Sequence, residues 1–337
     1  MEVGIDSFLM QPQVATNTAT AMAEILERIE LADQVGVDVF GIGEHHRSDF
    51  LDSAPPIILA AAAARTSKIK LASAVTVLSA ADPVRIFQEF ATLDIISKGR
   101  AEIVAGRGSF VDAFPLFGFD LNDYDDLFSE KLDLLLKIRD NEKLTWSGKF
   151  RPSMQNQGIY PRPVQKKLPI WLGVGGTPES FARAGQLGLP LMIAIIGGET
   201  GRFKPLVDLY KQSAIKAGHS LSDLKVGVHS LGFVGEDAKQ TRDFFFAGYK
   251  SMFENLKRNG RSFGPVDREM FDFQNTRTGA LLVGTPEEVA EKIILHSQSL
   301  GGVSRFTFQM DAILTHKDLM KAIELIGTKL KPLLKDA

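Results

Sequence analysis

The chain contains no cysteine. That absence excludes a disulfide scaffold, a cysteine nucleophile, a thiolate metal site, an iron–sulfur cluster and an internal dithiol relay. Polar aromatics are scarce as well. There are 4 Tyr and 2 Trp beside 23 Phe, so ring volume is supplied without hydroxyls, either as core or as pocket wall. A surplus of charge is also lacking. With 39 Lys and Arg against 41 Asp and Glu the formal charge is −2, which gives no electrostatic footprint for nucleic acid. No basic run marks a membrane surface. No charge-free apolar stretch reaches the roughly 20 residues of a membrane span. The opening segment, MEVGIDSFLM, carries Glu2 and Asp6 and no basic region ahead of an apolar run. No secretory leader is read there, and a cytoplasmic location is expected.

What is present suits a globular protein: 337 residues, 44% apolar and 24% charged, without a dividing linker. It is read as one domain over residues 1–337. A short β-branched run, a turn and a helical period recur. Strands are expected at 3–9, 37–43, 69–78, 101–106, 169–174, 189–196, 226–234 and 305–310. Most are nearly continuous apolar runs, as in strands covered on both faces. Helical stripes such as Met22, Ile25, Leu26 and Ile29 fill the intervals. Asp82-Pro83, Thr177-Pro178 and Thr285-Pro286 each set a capping side chain before a proline, and Thr285 with Glu288 fits a capping box. Early strand starts lie roughly 30 residues apart, the size of a strand–helix unit. The expected fold is α/β, a (β/α)8 TIM barrel with insertions after strands 4 and 7, at 107–165 and 259–284. An open doubly wound sheet is the alternative. WSGKFRP and YPRPVQ read as loop or hairpin material inside the first insertion.

Three segments could carry chemistry. Glu44-His45-His46 follows the second strand, where a barrel residue would face the mouth, and imidazole titrates near neutrality. Two loop histidines that cap a helix or bond the backbone would look the same. No metal set is read: His-x-His spacing is missing, and His219, His229, His296 and His316 are scattered. Gly106-Arg107-Gly108-Ser109 closes the fourth strand. Its glycines allow an anion nest and Arg107 adds a charged donor fork, although a surface arginine in a salt bridge is the plainer reading. Gly173-Val174-Gly175-Gly176-Thr177-Pro178 opens a helix, whose free amides suit a phosphate. A tight strand–helix turn has the same sequence, and Glu179 in the first turn would repel an anion unless it points away. Phenylalanines crowd both insertions (Phe110, Phe114, Phe117, Phe119 and Phe128, then Phe263, Phe271 and Phe273), as core or as pocket.

Together, GIGEHH, the block LASAVTVLSAADPVRIFQEFATLDIISKGRAEIVAGRG, the block GVGGTPESFARAGQLGLPLMIA and VGTPEEVAEKI resemble the bacterial luciferase-like flavin-dependent monooxygenases. The resemblance runs over almost the whole chain. It implies a barrel that binds reduced FMN at its C-terminal face, with a lid in the insertion after strand 7. It implies His45 as the catalytic acid–base, a cis peptide at Ala74-Val75 under the flavin ring, and Arg107, Gly108 and Ser109 at the ribityl–phosphate region. Gly175, Gly176, Thr177 and Ser180 match the phosphate turn, and Phe8, Phe110 and Phe114 are expected in the substrate pocket. That glycine-rich turn departs from the luciferases proper and argues against light emission. Dioxygen, a small and largely apolar organic substrate, a separate NAD(P)H-dependent flavin reductase and a homodimer are further implied, with neither nucleic acid nor membrane as partner. Deazaflavin-dependent hydride transfer and a non-catalytic flavin-binding protein are the rival readings.

Overall fold

The structure is a computed structural model that describes residues 1–10, 17–258, 264, 266–313 and 315–335. Its centre is a closed ring of parallel strands: β1 (Glu2–Ser7), β2 (Val39–Ile42), β3 (Lys70–Ser73), β4 (Ala101–Gly106), β5 (Ile170–Val174), β6 (Leu191–Ala194), β7 (Val226–Val234) and β8 (Arg305–Gln309). Each strand pairs with the next, and β8 returns to β1 with Ile5 opposite Phe308. The expected eight-stranded barrel is therefore the one formed, and the open sheet is not.

The apolar runs have two destinations. Val3, Ile5, Phe40, Ile42, Ile103, Phe306 and Phe308 are buried in the main core between strands and helices. A smaller group, Val104, Trp171 and Met192 with Val75 against it, fills the inside of the barrel. Around the strands run α1 (Thr18–Gln34), α2 (Pro55–Ala63), α3 (Pro83–Ser97), α4 (Tyr124–Asp140), α5 (Pro178–Gln186), α6 (Lys204–Lys216), α7 (Ala238–Arg258), α8 (Arg268–Gln274), α9 (Pro286–Leu300) and α10 (His316–Leu325). The Asp82 carboxylate accepts from the amides of Val84 and Arg85 at the start of α3. Both halves of the Thr285–Glu288 capping box are made at the start of α9. Thr177 makes no capping bond at the start of α5; its hydroxyl is used elsewhere. Among the described residues no helix is long and apolar enough to cross a membrane.

The expected strand at 69–78 is broken. β3 stops at Ser73, the Ala74–Val75 peptide is cis, and only Thr76–Val77 resumes pairing, beside β4. A strand that sequence patterning missed, Leu282–Gly284, pairs with the far end of β7; three residues are too few to show a period of two. After β4 the chain makes a single helical turn (Ala113–Leu116), α4, and an antiparallel pair of Lys143–Trp146 with Met154–Gly158. WSGKFRP forms the turn of that hairpin. Of the expected insertion at 259–284, residues 259–263 and 265, with Phe263, lie outside the described residues. Most of the phenylalanine excess is core: Phe233, Phe245 and Phe271 are buried and pack ring to ring with each other or with Tyr249.

Candidate active site

The C-terminal ends of the strands open into a cavity of about 520 Å³ that runs from Arg107 and Thr177 at the rim to Val39 and Arg305 inside the barrel. Phe8, His45, Ala74, Val75, Arg107, Gly108, Ser109, Phe110, Gly175 and Thr177 line it, as the sequence led one to expect. Gly176 and Ser180 stand outside the lining. Phe114 does not belong to the pocket at all: it is fully buried and packs on the Tyr124 ring at 5.3 Å, inside the insertion after β4.

His45 sits on the loop that leaves β2. The loop turns back so closely that a Cβ on Gly43 would fall 2.6 Å from Phe8 Cδ1 and 2.7 Å from Asp52 Oδ2. Asp52, seven residues on and fully buried, holds His45 twice. Its Oδ1 accepts from the His45 amide at 3.1 Å and its Oδ2 lies 2.8 Å from His45 Nδ1. Burial pushes the Asp52 carboxyl up to about 6, with the charge of Asp311 adding to it, while the hydrogen bond and charge of His45 pull it back. The imidazole is boxed by phenylalanines: Phe50 stacks on it at 4.2 Å, and Phe8 and Phe110 stand at 4.9 and 5.2 Å. With Nδ1 committed to Asp52, Nε2 is the nitrogen available to a molecule in the cavity. His46 is engaged differently. Its Nε2 meets Glu44 Oε1 at 3.0 Å, and Glu44 Oε2 accepts the Val77 amide at 2.8 Å, which ties the end of β2 to the broken strand.

A second histidine reaches the cavity from β7. His229 Nδ1 lies 2.6 Å from Asp6 Oδ2 and its Nε2 lies 3.2 Å from Gln309 Oε1. Gln309 also hydrogen-bonds the Asp311 carboxyl, which turns its NH2 there and its oxygen toward His229. Both ring nitrogens of His229 thus face acceptors, and only an imidazolium donates from both. Burial opposes that charge, but the hydrogen bond and charge of Asp6, with help from Gln309 and Asp311, outweigh it and raise the His229 pKa. Both ring nitrogens of His229 are held by neighbouring side chains, whereas His45 is held through Nδ1. Phe8 lies between them, stacked on His229 at 5.7 Å. Sequence reading missed Asp52, Asp6 and His229. An acid inside the apolar run VGIDSFL was the available signal for Asp6, since an aspartate there must be partnered.

At the rim the predicted donors come together. Arg107 Nη2 stands 3.4 Å from Thr177 Oγ1 and 3.3 Å from Ser180 Oγ. Its Nη1 is held by Asp125 Oδ1 at 2.6 Å, and Asp125 is 71% exposed. The guanidinium lies over the Tyr124 ring at 5.4 Å, and the Tyr124 hydroxyl donates to the Gly108 carbonyl at 2.7 Å. Gly108 has φ +81°, and a Cβ there would meet Val77 at 2.7 Å, so this turn needs glycine. The Arg107 guanidinium and the Thr177 hydroxyl at the cavity rim, with the Ser180 hydroxyl against Arg107 and the N-terminus of α5 beside them, make up the donor set of an anion site.

Comparison with known proteins bears on the family and the fold. An uncharacterised protein of Sinorhizobium fredii is 27% identical over 230 residues, a match that covers 68% of this chain but only 65% of that protein. The N-acetyl-S-alkylcysteine monooxygenase of Bacillus subtilis is 25% identical over 82% of this chain and 83% of its own. Two solved structures share the fold. The oxygenating constituent of 3,6-diketocamphane monooxygenase from Pseudomonas putida, in complex with FMN, superposes with a TM-score of 0.80 at 22% identity, covering 99% of this chain and 98% of that one. An F420-dependent secondary alcohol dehydrogenase does so with 0.76 at 18% identity, covering 99% of each chain. The family model described as luciferase-like monooxygenase matches residues 1–303, and the chain belongs to that family.

Proposed function

We propose that the protein is a flavin-dependent monooxygenase that uses reduced FMN and dioxygen to oxidise a small, largely apolar organic molecule. The observation that carries this reading is that one cavity has an anion-binding rim and, inside, a histidine–aspartate pair in an apolar box. The residues fit the cofactor. The cavity of about 520 Å³ lies within the roughly 300–1,000 Å³ of cofactor pockets. A Cβ on Gly106 or Gly173 would fall 2.5 or 2.8 Å from the Val75 side chain, so two bare strand positions let Val75 lie inward as an apolar shelf. Arg107, Thr177 and Ser180 would hold the phosphate, and the Ala74–Val75 backbone with Val75 would support the ring.

When bound, the flavin supplies the two electrons and the activated oxygen. The chain does the rest. His45 Nε2 takes or gives a proton at the reacting atom, and Asp52 balances the imidazolium that results. Phe8, Phe50 and Phe110 keep water from the reacting centre. A separate NAD(P)H-dependent reductase would supply the reduced flavin.

The test is to titrate reduced FMN and reduced deazaflavin separately and follow absorbance with dioxygen uptake. Saturation by FMN with dioxygen consumption is expected. Saturation by deazaflavin alone, without dioxygen uptake, would establish hydride transfer instead. Tightly held oxidised flavin with no dioxygen use would mark a binding protein.

A further inference from the structure

The Phe8 ring touches both histidines of the cavity, at 4.9 Å from His45 and 5.7 Å from His229. β1 ends at Ser7, so Phe8 follows where the strand has stopped. Leu9, the next residue, has φ +44°, in the left-handed region that a leucine seldom enters. What holds this turn is Asp311, two residues beyond the end of β8. Its Oδ1 accepts the Ser7 hydroxyl and its Oδ2 the Phe8 amide, each at 3.0 Å. Ser7 Oγ in turn accepts the Leu9 amide at 3.4 Å. Three successive residues are thus tied, directly or through one hydroxyl, to a single buried carboxylate. Gln309 hydrogen-bonds the same carboxyl and keeps its oxygen 3.2 Å from His229 Nε2. Asp311 itself is not part of the cavity wall. It borders a small void behind that wall, with Asp6, Arg28 of α1, and Leu319 and Ile323 of α10. A carboxylate buried there is costly unless donors repay it. Here each of those hydrogen bonds goes to a residue that places Phe8 or His229.

We infer that Asp311 is a positioning residue of the site: through Ser7 and the Phe8 amide it sets the Phe8 ring between His45 and His229, and through Gln309 it fixes an acceptor on His229. The inference deepens the proposed monooxygenase site and rests on that reading for its effect on turnover, but the placement is read in the resting protein. The charge of Asp311 is also felt by Asp52 on the loop after β2 and by His229 on β7, with the Arg28 charge acting on it from α1.

The test is proton NMR of the full chain. Its six histidines give few ring signals, and those of His45 and His229 are assigned by His45→Gln and His229→Gln. Phe8→Leu removes the ring current and marks where both signals go without it. Asp311→Asn keeps the size of the side chain but loses its charge and one acceptor. It should move both signals at least halfway to their Phe8→Leu positions, and Ser7→Ala should move them the same way by less. In Asp311→Asn the Asp52 carboxyl, followed by carbon NMR of aspartate-labelled protein, should also titrate below its wild-type midpoint of about 6, because a neighbouring negative charge is gone. A side chain that only packs would leave that midpoint in place. Histidine signals at their wild-type positions in a folded Asp311→Asn protein overturn the inference. If that variant does not fold, Ser7→Ala decides, and unmoved signals there overturn it equally. In turnover, Asp311→Asn should lower kcat by roughly ten- to a hundredfold with FMN affinity within about twofold. A wild type that consumes no dioxygen, beside displaced histidine signals in the variants, would sink the monooxygenase reading and leave the placement of Phe8 standing.

Discussion

Oδ2 of the buried Asp52 lies 2.8 Å from Nδ1 of His45. The carboxylate fixes which ring nitrogen carries the proton and aims the other at the cavity. Because burial raises Asp52 to about 6, it is ionised, and able to balance an imidazolium, only above that pH. Turnover should therefore fall as pH drops through about 6. Asp52→Asn should lower kcat by roughly 10²–10³ while FMN affinity is kept, and the acid limb near pH 6 should disappear from its profile. A variant with an unchanged limb would show that Asp52 is only packing.

Arg107 is the joint between β4 and α5, and its Nη1 is held by Asp125 at 2.6 Å. An anion bound beside Nη2 competes with that carboxylate for the same charge. Arg107→Met should weaken FMN by roughly 10–100-fold and leave riboflavin, which lacks the phosphate, within about twofold. Asp125→Asn should act in the opposite direction and strengthen FMN a few-fold, since an exposed pair is worth about 0–1 kcal/mol. Fluorescence titration with both ligands reads each effect; equal losses for FMN and riboflavin would place the phosphate elsewhere.

Val75 leans against strand positions that carry no side chain. Adding one at Gly106 puts a Cβ 2.5 Å from Val75 Cγ2. Gly106→Ala should cost about 1–3 kcal/mol of stability by overpacking and loosen flavin binding as well, because the shelf is displaced. The double variant with Val75→Ala should regain most of the stability. Denaturant midpoints of the two proteins decide this: a double variant no more stable than the single would mean that the glycine serves the backbone rather than Val75.

Those residues also show what was legible in the sequence. Gly106 and Gly173 stand out as glycines at strand ends, and Arg107, Thr177 and Ser180 are short-range features of two turns. The long apolar runs announce the strands because both of their faces are covered. His45 is visible by type and place, whereas Asp52 is not, since a loop aspartate before Pro55-Pro56 looks like any helix-start acid until the backbone folds it under the imidazole. The pairing of Asp6 with His229 joins positions 223 residues apart, which no local pattern encodes. Phe114 failed for a related reason. Phe110 and Phe114 share one short segment, and only the turn at Ala113–Leu116 decides that one ring faces the cavity and the other the core.

Away from the cavity, Lys292 on α9 is buried with its Nζ donating to the Leu281 carbonyl, and no carboxylate pairs with it among the described residues. Burial lowers its pKa to about 7, with the Arg242 charge adding. His296 follows on the same helix. Its Nδ1 lies 3.3 Å from Thr200 Oγ1, and burial, with Lys292 next, lowers it to about 4. The sign follows from proton counting. Between about 7 and the ordinary value of 10.5 the unfolded chain holds a proton on Lys292 that the folded chain lacks, so stability climbs with pH across that window and is lower below it. His296 adds the same slope between about 4 and 6.5. Lys292→Met keeps the length of the side chain and removes the ammonium. The variant should melt higher than the wild type at pH 6, by about 1–2 °C for each kcal/mol recovered, and the gap should narrow by pH 9. Melting curves at the two pH values measure it, and a gap that is equal at both would mean that Lys292 is not titrating in the folded protein.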